Sequence, residues 1–113
     1  MSAEHRRNKR KRADVIVQVT NAITGEIMGR VGNLSLDGMM MVASRPVRDD
    51  ALYQFIFHLP GERGQPQPLE IGVHEQWSEP ANVPGQFWAG FRFIDIGEED
   101  YQSLTRWIAG GSD

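Results

Sequence analysis

The chain has 113 residues, of which 40% are hydrophobic, and its formal net charge is -3. This length fits one domain with a single hydrophobic core, and the lack of cysteine excludes disulfide bonds and thiolate metal sites. No stretch approaches the ~20 consecutive apolar residues that span a bilayer, so we expect a cytoplasmic protein without membrane insertion.

The N-terminal segment, residues 1–12, holds half of the basic residues. Six of the twelve Lys and Arg residues lie there beside one acidic residue, which gives this segment a net charge of +5. Residues 13–113 contain six arginines and fourteen acidic residues, a net charge of -8. Because an acidic body repels a long polyanion, this distribution disfavours DNA or RNA as the partner. We expect residues 1–12 to be flexible and residues 13–113 to form the domain.

Six segments after this basic segment have the alternation or the short apolar runs that are typical of strands. In chain order they cover residues 15–20, 26–33, 38–43, 52–59 and 69–77, and a sixth carries Phe87, Ala89, Phe91 and Phe93 on one face. Residues 21–25 form a turn, and residues 61–68, rich in Gly, Pro and Gln, form an exposed hairpin loop. This spacing predicts an all-β fold, a six-stranded antiparallel barrel.

The last predicted element is a helix over residues 98–109. Its first turn contains Glu98, Glu99 and Asp100, where the helix dipole favours negative charge. Tyr101, Leu104 and Ile108 follow at helical spacing and form an apolar face. We expect this C-terminal helix to pack across the barrel.

Side chains suited to catalysis or metal binding are sparse. The three histidines, His5, His58 and His74, lack metal-ligand spacing, and the sequence has neither a cysteine nucleophile nor a Gly-rich phosphate loop. We therefore expect a binding protein that is not an enzyme and carries no metal or cofactor.

Two polar motifs are suited to binding a nucleotide, Arg6-Arg7-Asn8-Lys9-Arg10 and Asn33-Leu34-Ser35-Leu36-Asp37-Gly38. The planar guanidinium of arginine meets a phosphate or the O6/N7 edge of guanine through two hydrogen bonds. Asn33 and Ser35 are two residues apart, so in an extended chain both side chains leave from one face. Their amide and hydroxyl groups can bond to a base edge or a phosphate, and Gly38 allows close approach of the backbone.

Both motifs resemble those of the PilZ domain family, small bacterial barrels that bind the second messenger cyclic di-GMP. The family motifs RxxxR and [D/N]xSxxG occur here in the same order, and residues 87–96 with the following helix are similar to the family's last strand and C-terminal helix. The resemblance implies a ligand site for cyclic di-GMP that contains the following residues: Arg6, Arg7, Arg10, Asn33, Ser35 and Gly38.

Three further features have two interpretations each. Trp77 lies about where similar domains carry an aromatic residue near the ligand, so it either stacks on a guanine or is a core or rim residue. The run of Met39, Met40 and Met41 is more typical of strand packing than of a partner surface. Lys9, Lys11 and Arg12 are expected to form a solvated fringe around the motif arginines.

The sequence thus predicts a bacterial cyclic di-GMP receptor or adaptor. In this hypothesis the basic segment reorders against the barrel when the ligand binds, and the change is passed to a downstream protein partner. Two alternatives stay open: a small nucleic-acid-binding barrel that uses the segment as a cationic arm, and a PilZ-like protein-interaction module that binds no ligand.

Overall fold

The computed structural model describes residues 10–61 and 66–110, and the remaining residues lie outside the description that follows. Its elements, in chain order, are β1 Lys11–Arg12, β2 Gln18–Asn21, β3 Ile27–Leu34, β4 Gly38–Ala43, β5 Leu52–Pro60, β6 Pro66–Pro80, β7 Phe87–Ile96 and helix α1 Glu98–Gly110. Within these residues, no helix is long and apolar enough to cross a membrane.

Six antiparallel strands close into a barrel. They follow one another in the order β3, β2, β5, β6, β7 and β4, and β4 pairs in turn with β3. The short strand β1 lies outside this ring and pairs with the end of β3, Lys11 opposite Leu34 and Arg12 opposite Asn33. The predicted fold class, a six-stranded antiparallel barrel with a C-terminal helix, is confirmed.

The bounds predicted for β4 and β7 match the structure, whereas β6 is longer than expected. It begins at Pro66 and ends at Pro80, so the predicted loop over residues 61–68 is too long and the predicted strand over 69–77 too short. The N-terminal part of β6 pairs with β5, and its C-terminal part continues along β7. Pairing with β5 at one end and with β7 at the other keeps the strand extended through residues that, taken alone, favour turns.

The strand predicted over residues 15–20 also differs from the structure, in which β2 covers Gln18–Asn21. Ala13 N donates to Gly32 O at 3.2 Å, and Val31 N donates to Val17 O at 2.9 Å. Because Val31 and Gly32 are neighbours in β3, residues 14–16 between these two bonds must loop outwards as a bulge. Val17 and Val19 are buried as the alternation predicted, but Val15 is 50% and Ile16 82% exposed.

The core is filled by aromatic and aliphatic side chains from the inner face of the barrel. Phe55 and Phe57 of β5 are fully buried, and the ring of Phe55 meets Phe91 of β7 edge-on with 5.1 Å between centroids. In α1, Leu104 and Ile108 are buried against this core, whereas Tyr101 is 42% exposed. The prediction of an apolar helix face is therefore right for Leu104 and Ile108 and wrong for Tyr101, which the first turn directs to solvent.

The loop between β4 and β5 is fastened to the barrel by a buried carboxylate. Glu75 of β6 is only 2% exposed, and its Oε1 accepts a hydrogen bond from Asp50 N at 2.7 Å. Asp50 has φ 61°, in the left-handed region that non-glycine residues rarely adopt. Glu75 N also donates to Ala51 O at 2.9 Å. The two bonds fix the end of the loop where the chain enters β5.

We expect Glu75→Ala to destabilise the fold by about 1–3 kcal/mol, because the loop loses its acceptor and the barrel loses a buried side chain. Urea unfolding followed by tryptophan fluorescence measures the change. Glu79→Ala is the matched control, since Glu79 lies on the same strand and is exposed. Equal stability of both variants would show that the carboxylate does not hold the loop.

Candidate functional site

The two polar motifs meet at the end of β3. Arg10 Nη1 donates a hydrogen bond to Asn33 Oδ1 at 2.7 Å, and the pairing of Arg12 with Asn33 aligns the chain for this contact. The last arginine of the first motif therefore touches the first residue of the second. Arg6 and Arg7 lie outside the described residues.

The second motif forms the tight turn between β3 and β4. Ser35 N donates to Gly38 O at 2.9 Å, and the Ser35 hydroxyl donates to Asp37 Oδ1 at 2.6 Å. Ser35 is completely buried. Asn33 and Ser35 do not leave from one face as they would in an extended chain, because β3 ends at Leu34 and the turn rotates the next side chain inwards. Ser35 therefore positions Asp37.

Gly38 is required by the packing of two strands. It lies opposite Arg92 in the pairing of β4 with β7, and a Cβ at this position would overlap the carbonyl oxygen of Phe91. Phe93 N also donates to Asp37 O at 2.9 Å, which binds the turn to β7. The close approach that the sequence predicted at Gly38 is thus an approach to a neighbouring strand.

An open pocket of about 450 Å³ lies above this turn. Its walls carry two guanidinium groups, one carboxylate, two amides, an indole and a short apolar floor. The lining residues are Arg10, Asn33, Asp37, Gly38, Met39, Met40, Gln76, Trp77, Gly90, Phe91 and Arg92. The structure thus brings together four of the predicted site residues, Arg10, Asn33, Gly38 and Trp77, whereas Ser35 lies beneath the pocket.

Trp77 lies on the pocket wall with 45% of its surface exposed. Its indole rests on Gly90 of β7, where a Cβ would overlap Nε1 and Cε2. The pairing of β6 with β7 shifts register between Glu75 and Trp77, and this irregularity brings Gln76 and Trp77 to the same pocket. Trp77 is therefore a rim residue with an accessible ring face, and it is not part of the core.

Three polar lining residues were missed by the sequence analysis. Asp37 is inside the second motif, but the motif pattern leaves its position unspecified. Arg92 lies directly across from Gly38, so pairing the predicted third and sixth strands in this register would have found it. Gln76 enters the pocket through the irregularity in β6, for which the sequence gives no signal.

The methionine run divides between the core and the pocket. Met39 and Met41 are buried in the hydrophobic core, which agrees with the interpretation as strand packing. Met40 is partly exposed. Its side chain, like the backbone of β4, contributes to the floor of the pocket.

Lys11 does not belong to the predicted solvated fringe, because it packs against α1. Its Nζ donates to Trp107 O at 2.7 Å and lies 4.0 Å from the centroid of the Trp107 ring. The prediction is wrong for Lys11, because β1 directs this side chain to α1 while the next residue, Arg12, is exposed. Lys9 lies outside the described residues.

The histidines do not form a common site in the described part of the chain. His58 is exposed, and His74 Nε2 lies 2.5 Å from Asp50 Oδ1, while His5 is not described. No group of three or more His, Asp or Glu residues is placed to hold a metal ion within residues 10–61 and 66–110.

Known structures share this architecture. The Bacillus subtilis inhibitor of motility MotI/DgrA matches with TM-score 0.76 and 18% identity, over 97% of this chain and 51% of that chain. Escherichia coli YcgR in complex with c-di-GMP matches with TM-score 0.71 and 18% identity, over 92% and 44% of the two chains. The chain thus spans about half the length of these two proteins.

A separate structure of the YcgR PilZ domain from Escherichia coli, with c-di-GMP, matches with TM-score 0.65 and 16% identity, over 92% of this chain and 88% of that chain. No curated protein matches the sequence. The family model of the PilZ domain matches residues 4–110, a range that includes both polar motifs, all the strands and the whole helix described above. The chain belongs to the PilZ domain family.

Proposed function

We propose that this protein is a cyclic di-GMP receptor that binds its ligand in the pocket between β1, β4 and β7. The observation that carries the proposal is the hydrogen bond of 2.7 Å between Arg10 and Asn33. It joins the two motifs at the rim of a pocket that also holds a second arginine and an exposed indole. The two YcgR structures, which contain c-di-GMP, support the same ligand.

The pocket offers partners for the phosphates, the base edges and the base face of a guanine nucleotide. Arg10 and Arg92 supply guanidinium groups for phosphates or for the O6/N7 edge of guanine. Asp37 supplies a carboxylate that accepts from the N–H donors of guanine, and a charge-assisted bond of this kind is about twice as strong as a neutral one. Trp77 supplies a ring face, and stacking a base on it contributes ~1–3 kcal/mol.

Ser35 acts indirectly in this proposal. Its hydroxyl donates to Asp37 Oδ1 and thereby orients the carboxylate, leaving the other oxygen for the ligand. Gly38 contributes the backbone that lets the turn lie against β7. The protein is a binding module and not an enzyme, because the described lining residues contain donors, acceptors and a stacking surface but no paired nucleophile and base.

The basic segment completes the site. Arg6 and Arg7 bring further guanidinium groups to the ligand, so the part of the basic segment that precedes β1 is held against the barrel when the ligand binds. Fixing the backbone costs ~1–2 kcal/mol per residue, and the charge-assisted bonds to the phosphates and guanines offset this cost. The reordered segment then acts on a downstream protein partner.

Calorimetric titration with cyclic di-GMP tests the site. We expect Arg10→Ala to weaken binding at least about tenfold, because a hydrogen bond from a charged group contributes ~1.5–3 kcal/mol. Ser35→Ala should weaken binding less, since Asp37 remains but loses its orientation. Arg48→Ala is the control, an exposed arginine that does not line the pocket. No heat with the wild type would favour the PilZ-like module without a ligand.

Calorimetric titration of variants at Trp77 and at Gly90, on which the indole rests, gives a second test. We expect Trp77→Ala to weaken cyclic di-GMP binding by about 1–3 kcal/mol. Gly90→Ala should weaken binding too, since its added Cβ displaces the indole. Gly97→Ala is the matched control, because a Cβ at Gly97 meets no atom within 4 Å. If Trp77→Ala binds like the wild type, the ring does not stack on the ligand.

Hydrogen exchange tests the reordering of the basic segment. We expect amides of residues 5–9 to exchange more slowly when cyclic di-GMP is bound, because the ligand then holds them against the barrel, whereas Lys11 and Arg12 already pair with β3. The amides of the buried strand β5 serve as an internal reference. Equal exchange with and without the ligand, in a sample shown by calorimetry to be saturated, would contradict the reordering.

A further inference from the structure

The wall of the barrel has an open strand edge away from the nucleotide pocket. β2 pairs with β5 only at two positions, Thr20 opposite Ile56 and Asn21 opposite Phe55. Beyond Ile56, the end of β5 pairs with β6 on one side and has no strand partner on the other side among the residues described. This unpaired stretch is short and ends at Pro60, which has no N–H to donate, so a neighbouring segment would be held here mainly by its side chains.

A groove of about 740 Å³ runs beside this edge. Val15 of the bulge, Pro60 of β5 and Trp107 of α1 give it apolar walls, and Lys11, Asp14 and Arg106 are its charged groups. None of its lining residues lines the nucleotide pocket. The groove is therefore a separate surface.

The charge of the groove is unusual for this protein. Residues 13–113 have a net charge of -8, whereas among the described residues that line the groove Lys11 and Arg106 outnumber the carboxylate of Asp14. Arg106 is exposed, and its contact within the described residues is a bond of 3.3 Å to Ser103 Oγ. An acidic ligand would thus meet two cations on a surface that otherwise repels it.

We propose that this groove docks an extended acidic segment of a partner protein. The segment lies in the groove beside the end of β5, its apolar side chains pack between Val15 and Trp107, and its carboxylates pair with Lys11 and Arg106. The basic residues 1–9 of this chain do not complement these two cations, and a second copy would have to present one of its acidic loops. An acidic partner fits the charge best.

The groove is connected to the nucleotide pocket through two consecutive residues. Arg10 bonds to Asn33 in the pocket, while Lys11 bonds to Trp107 O in the groove. When a ligand draws Arg10 away from Asn33, β1 shifts and Lys11 leaves the Trp107 carbonyl. Its ammonium group is then free for a partner carboxylate. This control by the nucleotide, unlike the groove itself, rests on the proposed function.

Nuclear magnetic resonance of the full chain tests the surface. The probe is a synthetic ten-residue peptide that alternates Glu and Val, and its matched control replaces each Glu by Lys. We expect the acidic peptide to shift the Trp107 indole and the amides of residues 57–59 and 61, and the basic peptide to leave them unchanged. Equal shifts with both peptides, shifts confined to another surface, or no shifts would overturn the proposal.

Charge reversal locates the contact. Arg106→Glu should weaken binding of the acidic peptide at least about tenfold, while Arg30→Glu, an exposed arginine that does not line the groove, should leave it unchanged. If both variants weaken binding equally, only the overall charge matters and the groove is not the site. Gel filtration of the protein without peptide gives its oligomeric state. A dimer that the acidic peptide separates into monomers would show that a second copy occupies the groove and would overturn the assignment.

Addition of cyclic di-GMP separates the two proposals. We expect saturating nucleotide to strengthen peptide binding by at least about threefold. If calorimetry shows no nucleotide binding but the peptide still binds in the groove, the proposed function fails and the docking surface stands. If the nucleotide binds and the peptide does not, the docking surface fails and the proposed function stands. Nucleotide binding with unchanged peptide affinity would overturn the coupling.

Discussion

β4 fits between β3 and β7 because residue 38 has no side chain. A Cβ at Gly38 would overlap the Phe91 carbonyl oxygen, and β4 could not then pair with β7 from Gly38 opposite Arg92 to Ala43 opposite Phe87. Closure of the barrel depends on this pairing. It also determines the pocket, since the turn before Gly38 lies directly beside Arg92 and presents Asp37 next to it. Fold and candidate site are thus two consequences of one close strand approach.

The two-residue strand β1 gives the protein a connection between distant surfaces. Strand geometry sends successive side chains to opposite sides, so Lys11 leaves from the side opposite to its neighbours Arg10 and Arg12. Arg10 contacts Asn33, Lys11 contacts Trp107, and Arg12 is exposed. A run of basic residues is usually interpreted as one charged patch. Here the pairing with β3 divides the run among a pocket, a helix end and solvent.

The sequence was most informative where the local pattern and the tertiary structure agree. The alternation over residues 15–20 identified Val17 and Val19 as buried, and the two motifs identified Arg10, Asn33 and Gly38 as neighbours. It failed where a bulge or a turn changes the direction of a side chain. Three examples are the outward loop of residues 14–16, the pocket position of Gln76 and the burial of Ser35. Each depends on which backbone groups pair with a neighbouring strand, and residue type alone does not determine that pairing.

The same geometry bears on the alternative in which the basic segment is an arm for nucleic acid. Such an arm gains affinity in proportion to the phosphates that it neutralises, so each basic residue must be free to reach one. Arg10 faces the pocket, whereas Lys11 faces the Trp107 ring and carbonyl of α1, so one extended phosphate backbone does not reach both cations. A small dinucleotide needs no cation on the α1 side, because its two phosphates and two bases fit within the reach of a single pocket. The contacts of β1 therefore favour a compact ligand, and they do so independently of the acidic charge of the barrel.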